Sequence, residues 1–375
     1  MTETEELLAE LISCDSTNPV LVPGGVGEGA VAEIVARVLS EAGFEVEINE
    51  IRPGRPNVIG RLAGSGNGRS LMLCSHMDVV GAEAAMFKPE VTDGKMVGRG
   101  TADMKGGLAA SLVAARRIAA EGPLAGDLFV SGVIDEEWES LGAVAIAESH
   151  RVDAVILPEQ TNLEIVNEHG GFGWYEVEAR GVEVAGIDAH LGIDTIAQLA
   201  PLLAGIAKLD RELLAAPGTD YGRGSIHAST ISGGTQYPAY PAKTVLEIER
   251  CTIPGEKIAD TRAQLEAIVA AIGDEDERFD ATLKTIVERD ALALDAGEQI
   301  TPILRAAATQ VLGSEPATRG DMGWMDSGVL VEAGIPCVIF GPTGGGEHSP
   351  HEWVDLESVE KCADVLEAAA RAFCA

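Results

Sequence analysis

The sequence predicts an α/β domain, its sheet covered on both faces, interrupted by an inserted α+β sandwich. Three observations carry this expectation. Helix-like and strand-like patterns alternate through the first half of the chain. A stretch with the order strand–helix–strand–strand–helix–strand follows. From about residue 299 the first pattern resumes. The 375 residues suit one large domain split by an insertion. The expected division is 1–176 for the first part of the α/β domain, 177–287 for the insertion, and 288–375 for the second part.

The elements follow in order. Positions 5–13 and 29–42 carry apolar residues at helical spacing, the second stretch stopped by Gly43. Runs 44–48, 57–62 and 71–74 read as strands. Residues 105–120 read as a helix ended by Gly122-Pro123. Runs 128–134 and 154–157 read as buried strands. In the insertion, 174–179 and 245–249 alternate and 225–231 is β-like. Helical stretches lie at 194–214 and 256–272, and the acidic run 274–277 reads as a solvated loop or helix end. A helix at 299–312, a strand at 336–340 and a helix at 356–373 complete the chain.

Composition narrows the function. Sixty Asp and Glu against 27 Lys and Arg give a net charge of −33. Such a polyanion is repelled by phosphate backbones and anionic membranes, which sets nucleic-acid and membrane partners aside. No apolar run reaches the roughly 18 residues of a membrane span. The first six residues are acidic where a signal peptide is basic. The six cysteines (14, 74, 251, 337, 362, 374) form no CxxC pair and suit a reducing, cytoplasmic compartment.

Polar residues gather just after the expected strands, where open α/β sheets place their sites. Five clusters stand out. His76-Met-Asp78 pairs an imidazole, a good metal ligand, with a carboxylate able to fix its tautomer. In the run Gly98 to Gly107, Asp103 sits among glycines before a helix, where it either caps that helix or faces something packed close. Asp135-Glu136-Glu137 ends a buried strand, and adjacent carboxylates there repel each other unless a cation intervenes. Glu159 follows another strand. His348 and His351 follow a glycine run. Each cluster alone is also compatible with an ordinary polar turn. Together they supply imidazoles and carboxylates that suit zinc, cobalt or manganese.

These motifs, His76-x-Asp78, Gly-Thr-Ala-Asp103-Met-Lys-Gly-Gly, Asp-Glu136-Glu137, Glu159-x-Thr and His348-Ser-Pro-x-Glu352-Trp, resemble the M20 metallopeptidases. The likeness runs from Asp15-Ser-Thr-Asn-Pro19 to the terminal helix. It implies a zinc-peptidase-like catalytic domain with a mixed central sheet, made of 1–176 and 288–375, a lid and dimerisation domain at 177–287, and two divalent ions, zinc first, cobalt or manganese otherwise. His76 and Glu159 would hold one ion and Glu137 and His348 the other, with Asp103 shared. Asp78 would support His76. Glu136 would be the general base for a hydroxide bridging the metals that attacks an amide carbonyl. Lids of this family often pair subunits, so a homodimer through the insertion is expected.

The lid departs from the family pattern. Ala185 stands where members usually carry a His that steadies the oxyanion. Three accounts stay open: another lid residue such as His190 or His227 serves, the native reaction needs no such donor, or Ala185 is an introduced substitution. Pro238 replaces a common Asn, and Cys251 falls at or beside a common Arg position. Arg250 is either a clamp for a substrate carboxylate or an exposed strand-end charge. Arg319 is a further anion-binding candidate. Asp326 reads as a helix start or a site residue, and Trp324 and Trp353 as pocket lining or core. The expected activity is metal-dependent deacylation of an N-acyl amino acid. Dipeptidase or carboxypeptidase action, a carbamoyl or ureido substrate, and a catalytically impaired metal- or ligand-binding protein are the alternatives.

Overall fold

A computed structural model describes residues 2–294 and 299–375. Residues 295–298 of the expected 288–375 segment lie outside the described ones.

The chain opens with α1 (Glu3–Ser13), started by a capping box in which Glu5 N donates to Thr2 Oγ1 at 3.2 Å and Thr2 N to Glu5 Oε2 at 3.0 Å. Next come α2 (Gly29–Glu41), the antiparallel pair β1 (Glu45–Arg52) and β2 (Arg55–Leu62), and β3 (Leu71–His76). A small hairpin, β4 (Glu90–Thr92) and β5 (Lys95–Val97), precedes α3 (Gly106–Glu121). Then follow β6 (Leu128–Val133), α4 (Leu141–Ser149), β7 (Ala154–Leu157) and β8 (Ile165–His169). The insertion contains β9 (Gly171–Arg180), α5 (Thr195–Gln198), α6 (Ala200–Ala215), β10 (Ser225–Gly233), β11 (Lys243–Thr252), α7 (Ile258–Glu275), β12 (Asp280–Arg289) and β13 (Leu292–Ala293). The chain returns through α8 (Ile300–Leu312), β14 (Thr318–Asp321), α9 (Ser327–Glu332), β15 (Cys337–Ile339), β16 (Gly344–Gly345), β17 (Trp353–Asp355) and α10 (Leu356–Phe373).

Two compact units result. The first comprises the described residues of Met1–Asn167, Leu294–Arg319 and Met325–Ala375, the second Glu168–Ala293 and Gly320–Trp324. The second is wider than 177–287 because both of those positions fall inside its own strands, β9 and β12.

In the first unit the strand order is β1-β2-β6-β3-β7-β15-β8. The neighbours β6, β3, β7 and β15 are parallel, and β1, β2 and β8 pair antiparallel, so the sheet is mixed. Parallel strands covered on both faces read as unbroken apolar runs. In β3, Leu71, Met72 and Leu73 are fully buried, each contributing about 1.5–3 kcal/mol. Helical residues such as Leu8, Leu11, Val35, Leu108, Leu112, Leu304 and Leu366 join the same core. The four parallel strands end on one edge of the sheet. That edge receives His76 from β3, Asp135–Glu137 after β6, Glu159 after β7, and the segment leading to His348 after β15.

The second unit is an antiparallel sheet, order β10-β11-β9-β12. One face packs Tyr175, Val177, Leu246 and Ile248 against Leu202 and Ile206 of α6 and Leu265 of α7. Among the described residues no helix is long and apolar enough to cross a membrane.

Candidate active site

His76 is buried at the end of β3. Its Nδ1 lies 3.0 Å from the Asp78 carbonyl oxygen. A proton on Nδ1 donated there leaves the Nε2 lone pair free, the arrangement a metal-binding imidazole needs. Nε2 is 2.9 Å from Asp103 Oδ1. The Asp78 carboxylate is 3.6 Å from Nδ1 and accepts hydrogen bonds from Asn18 Nδ2 (2.8 Å), Glu136 N (3.1 Å) and Glu137 N (3.2 Å). Burial would raise this carboxyl, but His76, Asn18 and the Glu137 N–H hold it below its usual value. Asp78 therefore fixes the backbone of the next strand end as well as facing His76.

Asp103 faces two imidazoles. Its Oδ2 lies 3.1 Å from His348 Nε2, which is also 3.1 Å from Glu137 Oε2. Glu136 Oε2 and Glu159 Oε1 each lie 3.9 Å from His76 Nε2. Two groups emerge, His76/Asp103/Glu159 and Asp103/Glu137/His348, and within each the ligand atoms lie within 4.8 Å of one another. Asp103 belongs to both.

The electrostatics fit two divalent cations. Burial, with Asp103 nearby, pushes Glu137 up to about 7 and Glu159 up to about 8. Burial likewise pushes Glu136 well above its usual value, and the charges of Asp326, Glu159 and Glu137 add to it. His348 rises to about 10 through its hydrogen bonds to Asp103 and Glu137. Burial opposes ionisation of His76, yet Asp103 and Asp78 raise it. Protons are thus compensating a crowd of buried carboxylates. Imidazole and carboxylate donors in this arrangement suit zinc, manganese or cobalt in their place.

Local structure explains the placement. Helix α3 begins at Gly106 with Lys105 as its N-cap, so Asp103 does not cap it. A Cβ on Gly107 would stand 1.8 Å from Pro158 O, and one on Gly341 2.0 Å from Glu159 O. Glycine at both positions lets two segments press against the one that carries Glu159. Asp135 adopts a positive φ of +71°. It is buried, accepting hydrogen bonds from Asn18 Nδ2 at 3.0 Å and Arg55 Nη2 at 2.9 Å. Arg55 in turn grips Glu28 through Nε (2.8 Å) and Nη2 (2.6 Å). Sequence reading missed Asn18, Glu28 and Arg55 as supports. Asn18 lay in the Asp15–Pro19 run; Glu28 and Arg55 carried no signal.

The structure gathers His76, Asp78, Asp103, Glu136, Glu137, Glu159 and His348 in the first unit. Arg319, also there, lies 3.1 Å from Glu164. Asp326 is buried at the start of α9 without a side-chain cap bond. Trp353 is covered by Lys95, whose Nζ is 3.4 Å from the ring centre. Five candidates belong to the second unit. Arg250 is buried rather than an exposed charge; it pairs with Glu256 at 3.0 Å and donates to the carbonyls of Ser225 and Cys251. His227 is exposed, 3.6 Å from Glu249, whose other oxygen accepts from Trp174 Nε1 at 3.0 Å. Ala185 is exposed, bridges to Ala239 and precedes the turn Gly186–Leu191, which carries exposed His190. In the same unit Trp324 stacks edge-on with His169 and Phe172.

The fold and this cluster define a metal-dependent hydrolase of amide bonds. The chain belongs to the peptidase family M20/M25/M40, whose model matches residues 72–372. It is 28% identical over 396 residues to the N-formyl-4-amino-5-aminomethyl-2-methylpyrimidine deformylase of Bacillus subtilis, covering 96% of this chain and 92% of the relative. It is 31% identical over 381 residues to a succinyl-diaminopimelate desuccinylase of Cereibacter sphaeroides, covering 94% of each. The structure of an M20 family metallo-carboxypeptidase from Sulfolobus solfataricus superposes with a TM-score of 0.81 at 16% identity, over 100% of this chain and 99% of that one.

Proposed function

We propose that the chain removes an acyl group from the nitrogen of a small N-acyl compound, an N-acyl amino acid foremost. The observation that carries this reading is Asp103, with one carboxylate oxygen 2.9 Å from His76 Nε2 and the other 3.1 Å from His348 Nε2. A carboxylate so placed is suited to join two divalent ions, zinc first among them. His76 and Glu159 would complete the donors for one ion, Glu137 and His348 for the other. Bound ions supply Lewis acidity and lower the pKa of water in the site.

The chain's own residues supply the rest. Glu136 takes a proton from the attacking water and returns it to the leaving amine. Burial holds the Glu136 carboxyl well above its usual range. The charge of His76 opposes that rise. Asp78 and its carbonyl keep the His76 ring in one tautomer.

Deacylation is favoured over peptide cleavage by the relatives named above at 28% and 31% identity, a deformylase and a desuccinylase. Each name denotes removal of an acyl group. The peptidase likeness at 16% identity concerns fold alone. A homodimer through the second unit belongs to the same reading. Its support is β10, an edge strand whose residues 227–233 are exposed. Six free thiols support a cytoplasmic setting.

The test is turnover of chelator-stripped protein, reloaded with Zn²⁺, Co²⁺ or Mn²⁺, on a panel of N-formyl, N-acetyl and N-succinyl amino acids and amines beside dipeptides. Cleavage of acylated compounds ahead of dipeptides supports the reading. The reverse order moves it to a peptidase, and cleavage of none to a binding protein.

A further inference from the structure

We propose that Glu352 is a positioning residue that sets Asp103 in place before metal arrives. The proposal rests on the reading of Asp103 as the ligand shared by two ions.

Glu352 is fully buried, four positions after His348. Both its oxygens are spent on the loop that carries Asp103. Oε1 accepts from Ala102 N at 2.9 Å and Asp103 N at 3.1 Å. Oε2 accepts from Gly100 N at 3.0 Å and from the Arg99 guanidinium. An ionised carboxylate has room for about four donors, and a single short segment, residues 99–103, supplies them. Those backbone N–H groups precede α3, so no helix ladder satisfies them.

The same junction ties down the neighbouring loops. Arg99 Nη2 also reaches Ser349 O at 3.2 Å, just after His348, and Gly81 O at 3.5 Å, just after Asp78. Gly98 N donates to Glu352 O at 3.1 Å. Glu352 therefore holds the backbone of Asp103 while the Asp103 side chain is offered to His76 and His348. It acts through Asp103. Because Asp103 belongs to both donor groups, displacing it weakens both together.

The experiment titrates chelator-stripped full chain with Co²⁺, reading visible absorption and bound metal per chain, for wild type, E136Q and E352Q. Wild type and E136Q should each take two ions per chain. E352Q, folded by circular dichroism and melting near wild type when metal-free, should bind both ions at least tenfold more weakly, with an altered Co²⁺ spectrum. Two ions bound by E352Q with wild-type affinity and spectrum would overturn the proposal. If wild type itself takes up no Co²⁺, the two-metal reading fails first and the role of Glu352 with it. Should E352Q not fold, hydrogen exchange of wild-type peptides covering residues 98–105 decides. Protection already present in stripped protein and unchanged on loading is expected; protection that appears only with Co²⁺ overturns the proposal.

Discussion

Asp103 and His348 stand 245 positions apart in sequence, yet Oδ2 of the one lies 3.1 Å from Nε2 of the other. Two loops fixed by one sheet edge bring them together, and the other oxygen of Asp103 faces His76, so that Asp103 joins the two donor groups. Replacing Asp103 by Asn keeps the shape and removes the charge that both imidazoles face. Affinity for both ions should fall by at least about tenfold. In stripped protein the His348 titration should move down from about 10 toward the ordinary histidine value, read from its ring proton signals.

Glu136 is the group whose loss should separate chemistry from metal binding. Glu136→Gln should keep two ions per chain while kcat falls by roughly 10² to 10⁴. A kcat within a few-fold of wild type would assign the base elsewhere.

The stripped site should make stability depend on pH. Glu137 and Glu159 have folded values of about 7 and about 8, above their unfolded value of 4.5, and His348 stands at about 10 against 6.5. Between pH 6.5 and 8 the folded state thus binds more protons than the unfolded one, so stability falls as pH rises. Scanning calorimetry of chelated protein should show Tm decreasing across that window. Adding metal should raise Tm, more at pH 8 than at 6.5, since binding displaces those protons.

Arg250 should act on the second unit's stability. Its guanidinium is buried and paired with Glu256. Arg250→Ala should lower stability by about 2 kcal/mol, seen as a lower melting temperature, with KM nearly unchanged. A large rise in KM at unchanged Tm would instead mark it as a substrate clamp.

Much of this was legible in the sequence, for a physical reason. Buried parallel strands read as apolar runs, and His76, Glu137 and Glu159 follow those runs directly. The supports were not legible because their partners are remote. Asn18 meets Asp78 and Asp135 across 60 and 117 positions, and Glu352 meets Ala102 across 250. Asp135 read as one member of an acidic turn, whereas it is buried and its carboxylate is taken up by Asn18 and the Arg55 guanidinium. Helix α4 and strand β8 passed unread: α4 spans only 9 residues and is apolar with no clear polar face, and β8 turns polar after Ile165-Val166, unlike the all-apolar run of β7.

The central claim is that hydrolysis requires two ions joined through Asp103. Its most direct test counts Zn²⁺ per chain during reconstitution of stripped protein while following cleavage of the best N-acyl substrate. Activity should rise with metal and reach its plateau at two ions per chain, and Asp103→Asn should lose both metal and turnover. Full turnover in the presence of excess chelator, or a plateau reached at one ion with Asp103→Asn still active, would contradict it.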